Sequence, residues 1–355
     1  MTTSLLSTPI ASPRVVRSAG APLRLAIVGY GYWGPQLLRN FQSLPDSRVV
    51  YCCDASATRR EEAETRHPGL RTCADYAEVL ADPDVDGVIV ATPIQTHYAF
   101  ARKALERDKH VLVEKPLAAS VAEAESLTEL AEKRGLCLMV DHTFIYTGAV
   151  RKMKEIVARG DLGDLYYLDS VRINLGLVQR DVNVLWDLAP HDLAIMDHLV
   201  TEPPASVCAN GACSLGNGIE NVAYLTLYFN SGLIAHFHNN WLAPVKVRTM
   251  LVGGSQRMIL YDDMEPSEKI KVYDRGVDLQ SPEGVRDALI NYRLGDMWAP
   301  RLDQAEALRA MAAEFLQAIR NVRAPLTDGQ SGLRVVRILE AAEMSIKRRG
   351  REVKL

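Results

Sequence analysis

Residues 23–34, LRLAIVGYGYWG, set the architecture of the whole chain. An apolar run rich in strand-forming residues ends in Gly29, Gly31 and Gly34, spaced G-x-G-x-x-G, and a helical pattern begins at Pro35. In a dinucleotide-binding turn the first glycine permits the turn, the second lets the backbone approach a pyrophosphate, and the third lets helix and strand pack closely. The stretch therefore predicts a strand, a phosphate-binding turn and a helix, with a merely structural glycine turn as the alternative.

An acidic residue closes the next apolar run. Asp54 follows Gly34 by 20 residues, the distance at which a carboxylate accepts hydrogen bonds from the adenosine ribose of NAD. A 2′-phosphate would meet like charge at Asp54, yet Arg59 and Arg60 are near enough in sequence to compensate. NAD is therefore the preferred cofactor and NADP stays open, while a strand-end turn former is the structural alternative for Asp54.

Strand and helix patterns alternate throughout residues 23–141. Continuous apolar strands between amphipathic helices predict a parallel sheet covered on both faces, with right-handed crossovers. We predict a Rossmann-type, doubly wound α/β domain here. The Ser-, Thr-, Pro- and Ala-rich residues 1–22 lack both a basic start and a sustained apolar core, so we interpret them as a flexible tail and not as a signal peptide.

The pattern changes in residues 142–355. The alternating runs here predict an α+β domain on an open-faced, mostly antiparallel sheet, and a large open face is typical of contact with a second subunit. A helix from Gly148 to Arg159 is expected to stop at Gly160, and a second helix is expected over residues 186–200. Residues 282–300 have no clear pattern and are predicted as a loop. Strands are predicted at 165–175, 205–214, 223–229, 233–241, 245–252 and 257–261, and closing helices at 304–320 and 333–348.

The composition excludes several classes of protein. With 355 residues, 48% hydrophobic, the chain has enough material for two cores, and its net charge of -3 gives no electrostatic footprint for nucleic acid. No apolar run approaches the length that spans a bilayer, so no membrane partner is expected. The six cysteines show no metal-ligand spacing, which predicts no metal site and a reduced, cytoplasmic setting.

Further cofactor contacts are expected at the carboxyl ends of the strands, where ligands bind in such sheets. Thr92 and Pro93 follow one strand, where Thr92 can bond the cofactor and Pro93 shapes the turn. His97 opens the next helix and is expected to line the site, with a capping or structural role as the alternative. Tyr32 and Trp33, inside the glycine turn, either border the nicotinamide or pack against the second domain.

The tripeptide Glu114-Lys115-Pro116 follows another strand at the same edge. Pro116 and Glu114 are expected to fix Lys115 over the nicotinamide. A partly desolvated lysine there can exchange a proton with a substrate hydroxyl or polarise a ketone. The alternative is a solvated surface lysine.

The segment WDLAPHD at 186–192 places Asp187 and His191 four residues apart. Because Pro190 is tolerated only in a first helical turn, we expect the helix to begin near it, with Asp187 just before. Asp187 is expected to fix the tautomer of His191 and raise its basicity, which makes His191 a general acid or base. A helix-capping Asp187, a satisfied core histidine and a metal pair are the alternatives.

These motifs together resemble the glucose-fructose oxidoreductase, inositol dehydrogenase and rhizopine catabolism family, Gfo/Idh/MocA, over about residues 23–350. The resemblance rests on GYGYWG, Asp54, the Ala-Thr-Pro at 91–93, HVLVEKP at 110–116 and the D-x-x-x-H at 187–191. It implies a Rossmann domain followed by an open-faced sheet domain that binds substrate and forms a homodimer or homotetramer through the sheet. It also implies proton transfer by Lys115 and His191, with Asp187 supporting the histidine.

The segments WDLAPHD and HTFIYTGAVRK, the latter at 142–152, are most similar to the corresponding segments of family members from nucleotide-sugar and antibiotic-sugar pathways. Many members have a glycine within the D-x-x-x-H, where this chain has Ala189 and Pro190, so the substrate wall is expected to differ. Polar residues that alternate on the strands are weaker substrate candidates, with solvated or interface charges as the alternative for most of them. These candidates are Arg172, Asn174, Lys246 and Arg248, and weaker candidates outside that pattern are Asn183, Tyr146 and Trp241.

The leading functional hypothesis is an NAD(P)-dependent dehydrogenase or ketoreductase. It would transfer a hydride between nicotinamide and a secondary alcohol or ketone of a carbohydrate-like substrate: a sugar, cyclitol or nucleotide sugar. The hydride chemistry belongs to the cofactor, and the placement of the proton belongs to Lys115 and His191. A catalytically silent protein of the same fold that senses the cofactor is the alternative from another class, and reduction of a non-sugar carbonyl or imine is a third hypothesis.

Overall fold

The computed structural model describes residues 20–176, 179, 181–216, 218–278 and 291–355. Residues 1–19 of the predicted tail and residues 282–290 of the predicted loop lie outside the described residues. The remainder of that loop differs from the prediction, because residues 291–298 form a strand that pairs with its neighbour. Its sequence NYRLGDMW mixes charged, polar and apolar residues with a glycine, so it lacks the strict alternation by which a strand is recognised.

The first sheet of the described chain contains six strands in the order β3-β2-β1-β4-β5-β6, and each neighbouring pair is parallel. Its central strands are apolar and fully buried because helices cover both faces. This confirms the predicted doubly wound α/β sheet. The elements are β1 Leu23–Val28, α1 Gly34–Gln42, β2 Ser47–Cys53, α2 Ala57–Arg66, β3 Arg71–Cys73, α3 Tyr76–Ala81, β4 Gly87–Val90, α4 Ile94–Glu106, β5 His110–Glu114, α5 Val121–Arg134 and β6 Leu138–Asp141.

Helix starts in this half follow from side-chain caps. The Ser120 hydroxyl accepts a hydrogen bond from the backbone N–H of Glu123 at 3.3 Å, and the Asp75 carboxylate accepts one from Ala77 at 2.8 Å. Each cap satisfies a backbone donor that the first helical turn leaves free. The cysteines of β2, Cys52 and Cys53, are buried and unpaired, as expected for small apolar residues in a strand.

The second sheet is mixed and mostly antiparallel, as predicted. Among the described residues it contains nine strands in the order β14-β13-β12-β11-β7-β10-β9-β8-β15, with β10 and β7 as the parallel pair. The elements after a 3-10 turn, Thr143–Tyr146, are α6 Gly148–Ala158, β7 Leu165–Leu175, α7 Val184–Leu199, β8 Ser206–Ala212, β9 Val222–Tyr228, β10 Ile234–Asn240, β11 Leu242–Gly254, β12 Met258–Asp262, β13 Ile270–Asp278, β14 Asn291–Trp298, α8 Ala307–Arg320, α9 Gly329–Lys347 and β15 Val353–Lys354.

The two faces of this sheet differ. On the strands β9 and β10 the residues alternate strictly between buried and solvent-contacting, and α7 covers the buried face. The opposite face exposes apolar side chains, including Tyr224, Ile234 and Leu251. The expectation of one covered and one open face therefore agrees with the structure.

The last two helices return to the first sheet. The helix α8 packs against α1, and α9 packs against α5 and β6. The backbone N–H of Val140 in β6 bonds the carbonyl of Thr327, just before α9. The described C-terminal helices thus brace the Rossmann sheet from outside, while the domain boundary proposed after residue 141 stays a prediction. No helix of the described residues is long and apolar enough to cross a membrane.

Candidate active site

The glycine turn has the geometry that a dinucleotide requires. Gly29 has a φ of +95°, and a Cβ there would come within 2.5 Å of the Ala91 carbonyl oxygen. A Cβ on Gly34 would lie 2.4 Å from the Gly29 carbonyl oxygen, so only glycine permits this close approach of helix and strand. A Cβ on Gly31 would meet only an Arg59 nitrogen at 3.8 Å within the described residues. The backbone at Gly31 therefore faces open space, where a pyrophosphate fits.

Asp54 lies at the end of β2, beside this turn. Its carboxylate accepts hydrogen bonds from the backbone N–H groups of Tyr30 at 2.7 Å and Ser56 at 2.8 Å. Arg59 approaches the same carboxylate at 3.7 Å, and its side chain is half-exposed. The carboxylate thus ties the glycine turn to the start of α2, where it can accept bonds from a ribose, while Arg59 supplies a mobile positive charge at the same place.

A cleft of about 580 Å³ runs along the carboxyl ends of the first-sheet strands. Tyr32 and Trp33 are exposed at its mouth and pack edge to face, with ring centroids 5.2 Å apart. The structure brings together most of the residues predicted for the cofactor and the reaction. The cleft is lined by Gly29, Gly31, Tyr32, Trp33, Asp54, Arg59, Thr92, Pro93, His97, Glu114, Lys115 and Asp187, and also by Gln179, Asp181 and Trp186, which the sequence reasoning did not select.

His97 contacts the backbone at the ends of two neighbouring strands. Its buried ring lies between two carbonyl oxygens, those of Thr92 and Pro116, at 2.8 Å from each. Burial lowers the pKa of His97, whereas the two carbonyl acceptors favour the protonated ring. His97 therefore lines the cleft, and its two nitrogens take the structural role given above as the alternative, next to the backbone that follows β4 and β5. Pro93 in turn begins α4, and its neighbour Thr92 accepts a hydrogen bond from the Thr96 hydroxyl.

Lys115 lies at the end of the cleft, before the cis peptide bond to Pro116. Its ammonium donates to the backbone carbonyl of Asp187 at 2.7 Å and lies 3.5 Å from the carboxylate of the same residue. The other oxygen of that carboxylate accepts from the indole N–H of Trp241 at 3.0 Å. Sequence reasoning missed this role of Trp241, because its partner Asp187 lies 54 residues away in the chain.

Glu114 shares a side-chain hydrogen bond with Asp141 on the neighbouring strand and is also attracted by the charge of Lys115. Burial and the repulsion of the two carboxyl groups raise the pKa of Glu114 well above its usual value, and burial also raises the pKa of Asp141. The pair therefore favours sharing a proton, which leaves one negative charge to balance Lys115. Asp141 was missed, yet two acids that end adjacent parallel strands are a recognisable signal.

The helix that carries Asp187 and His191 corrects the predicted start. The helix α7 begins at Val184 because the Asn183 side chain accepts hydrogen bonds from the backbone N–H groups of Leu185 and Trp186. Pro190 consequently lies inside the helix and not in its first turn. The proline removes one backbone donor without ending the helix, because the cap and the burial of α7 outweigh that loss. The Asn183 side chain is engaged by the cap and by Glu220, so its predicted substrate contact is not what the structure shows.

The described contacts include no bond between Asp187 and His191, contrary to the expectation from their spacing. The bonds of the Asp187 carboxylate go to Lys115 and Trp241, as described above. Burial, followed by the positive charges of Lys115 and Arg172, lowers the pKa of His191 well below its usual value. The ring stacks edge-on against Phe144 at 5.0 Å, and its Nδ1 has no partner among the described groups. His191 is thus a neutral imidazole with hydrogen-bonding capacity to spare.

The remaining substrate candidates divide by burial. Arg172 is buried and makes two hydrogen bonds to Asp192, at 2.8 and 2.7 Å, so it supports the site wall and is not free to bind. Arg248 lies beside it on β11 and contacts Asp263 at 3.2 Å, while Lys246 is exposed at an irregularity of that strand. Asn174 is half-buried near the end of β7. Asn239, which sequence reasoning missed, is buried with neither amide atom partnered within the described residues.

Comparison with known families covers both halves of the chain. The model of the oxidoreductase family with an NAD-binding Rossmann fold matches residues 23–142, and the model of the GFO/IDH/MocA C-terminal domain matches residues 150–260. The UDP-N-acetylglucosamine 3-dehydrogenase of Acidithiobacillus ferrooxidans is 26% identical over 88% of this chain and 94% of its own length. The NADP-dependent scyllo-inositol 2-dehydrogenase of Bacillus subtilis is 24% identical over 92% of this chain and 94% of its own length.

Solved structures share the fold. A protein of gentamicin A biosynthesis, in complex with NAD, superposes with a TM-score of 0.79 at 22% identity, covering 98% of this chain and 99% of that chain. The structure of the Acidithiobacillus ferrooxidans dehydrogenase gives a TM-score of 0.76 at 24% identity, covering 92% of this chain and 98% of that chain.

Proposed function

The chain belongs to the GFO/IDH/MocA oxidoreductase family, and from that membership we propose that it transfers a hydride between a nicotinamide cofactor and a secondary alcohol or ketone of a sugar, cyclitol or nucleotide sugar. Relatives named for UDP-N-acetylglucosamine and inositol support this class of substrate. The observation that carries the proposal is Lys115, which lies at the end of the dinucleotide cleft and is held there by Asp187.

The residues of the cleft fit a dinucleotide. The open backbone at Gly31 and the start of α1 accept the pyrophosphate, and Asp54 accepts the hydroxyls of the adenosine ribose. The nicotinamide, when bound, supplies or accepts the hydride. The exposed pair Tyr32 and Trp33 borders the cleft and is assigned to cover the cofactor from water.

Lys115 is assigned to the proton of the reacting hydroxyl. The carbonyl and carboxylate of Asp187 and the indole of Trp241 fix where the ammonium points, so the proton is delivered or taken at one position. Protonation of His191 would add a positive charge beside Lys115 and Arg172, which is unfavourable. His191 is therefore assigned to hold the substrate oxygen as a neutral ring, and net proton transfer falls to Lys115.

The preferred cofactor is NAD. The fixed carboxylate of Asp54 suits ribose hydroxyls and repels a 2′-phosphate, although Arg59 beside it weakens that repulsion. One relative is named as NADP-dependent, so both cofactors belong in the assay.

Assembly and location complete the proposal. The open face of the second sheet carries Tyr224, Ile234 and Leu251, each at least 40% exposed, and a second copy of the chain is the proposed partner there. Light scattering tests this: a monomer at micromolar concentration would contradict it. Four buried, unpaired cysteines among the described residues support a reducing, cytoplasmic setting.

Nicotinamide absorbance tests the activity directly. The purified protein is incubated with NAD or NADP and a panel of sugars, inositols, sugar nucleotides and their keto forms. Absorbance change with at least one carbohydrate-like compound is the expected result. A response confined to non-sugar carbonyls or imines would contradict the proposed substrate class.

A further inference from the structure

Cationic side chains surround one aromatic ring next to His191. Phe144, in the 3-10 turn after β6, has its ring centroid 5.0 Å from the ring of His191. The guanidinium carbon of Arg172 lies 4.5 Å from the centroid of the Phe144 ring, and that of Arg248 lies 5.8 Å from the same centroid. The two arginines are paired across the neighbouring strands β7 and β11. An aromatic ring flanked by two arginines therefore forms a wall against His191.

The positive charges on this wall exceed the negative ones. Arg172 is neutralised by the two oxygens of Asp192. Arg248 instead shares Asp263 with Lys269, and the two cations lie 3.2 and 3.4 Å from that single carboxylate. On the other side of His191, Lys115 faces the carboxylate of Asp187 and also the single negative charge that Glu114 and Asp141 share. The surplus of positive charge is thus local to Asp263, where Arg248 and Lys269 share one carboxylate.

The arginines also differ in access. The Arg172 side chain is 4% exposed, whereas the Arg248 side chain is 32% exposed. Arg248 makes a single hydrogen bond to Asp263 among the described contacts, so most of its donors remain available for a ligand. The exposed Lys246 lies two residues earlier on β11. A planar guanidinium with free donors matches the oxygens of a carboxylate or a phosphate.

We propose that the substrate carries an anionic group, a carboxylate or a phosphate, which Arg248 binds close to the hydroxyl that is oxidised. This inference rests on the proposed function and narrows its substrate class to acidic sugars or phosphorylated sugars. The Phe144 ring supports the sugar face between Arg248 and His191, and the bound anion offsets the uncompensated positive charge of the wall.

The test compares three ligands that differ at one end only: glucose, glucuronate and glucose 6-phosphate, with UDP-glucose as a fourth probe. Their binding to the NAD-loaded protein is measured by calorimetry, and their oxidation by nicotinamide absorbance. We expect the carboxylate or one of the phosphates to bind at least tenfold more tightly than glucose. The Arg248→Gln variant should weaken that ligand by roughly 10- to 100-fold and leave glucose within about twofold.

Arg337→Gln is the matched control, because it also removes one positive charge but lies in an ion pair between α9 and α5. It should change no affinity by more than about twofold. Arg248→Lys should restore part of the binding, more for a phosphate than for a carboxylate. Circular dichroism verifies that each variant is folded.

Distinct failures separate the two proposals. If neutral sugars bind and react as well as their acidic counterparts, or if Arg248→Gln affects neutral and acidic ligands equally, the anionic subsite is wrong while the oxidoreductase assignment stands. If no carbohydrate changes the nicotinamide absorbance, the proposed function itself is wrong.

Discussion

Replacing Trp241 with phenylalanine isolates one hydrogen bond at the site. The indole N–H donates to the Asp187 carboxylate at 3.0 Å, and the ring is 1% exposed, so water cannot replace the lost donor easily. A hydrogen bond to a charged group contributes about 1.5–3 kcal/mol. If the reaction depends on the position of Asp187 and Lys115, kcat should fall by roughly 10- to 100-fold, with the affinity for NAD within about twofold of wild type.

A double-mutant cycle with Asp187→Ala distinguishes positioning from a general loss of packing. Trp241→Phe also leaves a small void and should lower the unfolding free energy by about 1–3 kcal/mol, whatever residue occupies position 187. In the Asp187→Ala background, however, it should lower kcat by no more than about twofold, because its partner is gone. Steady-state kinetics with the best substrate, together with denaturant titration, measures both effects. Wild-type kcat in Trp241→Phe, or a full additional loss in the double variant, would refute the reasoning.

Three further changes test neighbouring features. Burial and the charge of Lys115 lower the pKa of His142 to about 3, whereas the same histidine in the unfolded chain has a pKa of about 6.5. Because the unfolded state then binds an extra proton, the free energy of unfolding falls as the pH drops from about 6.5 toward 3. His142→Phe should therefore reduce the stability lost between pH 7 and pH 5 by about 2 kcal/mol in denaturant titrations, and an unchanged loss would contradict the buried neutral ring. Gly31→Ala should keep the wild-type melting temperature but weaken NAD binding at least tenfold. Gly34→Ala should lower the melting temperature, because its Cβ would meet a carbonyl oxygen. Equal effects of the two variants in both assays would contradict the separate roles of the two glycines. Asp54→Asn should weaken NAD and improve NADP, which the ratio of their KM values measures, and an unchanged ratio would show that Asp54 does not select the cofactor.

The sequence predicted the architecture because its signals were local. The glycine spacing after β1, the apolar strands and the caps at Ser120 and Asp75 each depend on residues within a few positions of one another. The strands β13 and β14 were missed because their sequences do not alternate regularly between apolar and polar residues. Their hydrogen bonds join two separate segments of the chain, so no local pattern reveals them. The position of α8 and α9 against the first sheet likewise depends on contacts across the whole chain.

The sequence named residues that lie near one another in the structure, but it did not predict the hydrogen bonds among them. Lys115, Asp187 and His191 were identified by motif and strand ends, and the structure places them together. The spacing of Asp187 and His191 suggested a mutual bond, yet Asp187 is taken by Lys115 and Trp241, which approach from other elements. Partners that lie 54 and 72 residues away cannot be deduced from helical periodicity, and neither can the Glu114–Asp141 pair, which joins the ends of two adjacent strands.

The central claim is that Lys115 performs proton transfer at a nicotinamide site. The direct measurement is turnover of Lys115→Met with the best substrate of the panel, alongside its calorimetric affinity for NAD, with Lys133→Met as the control that removes an exposed lysine from α5. The account predicts that kcat falls by roughly 10²- to 10⁴-fold while NAD affinity stays within about threefold and the control keeps at least half its turnover of a neutral substrate. Near-wild-type turnover by Lys115→Met would contradict it.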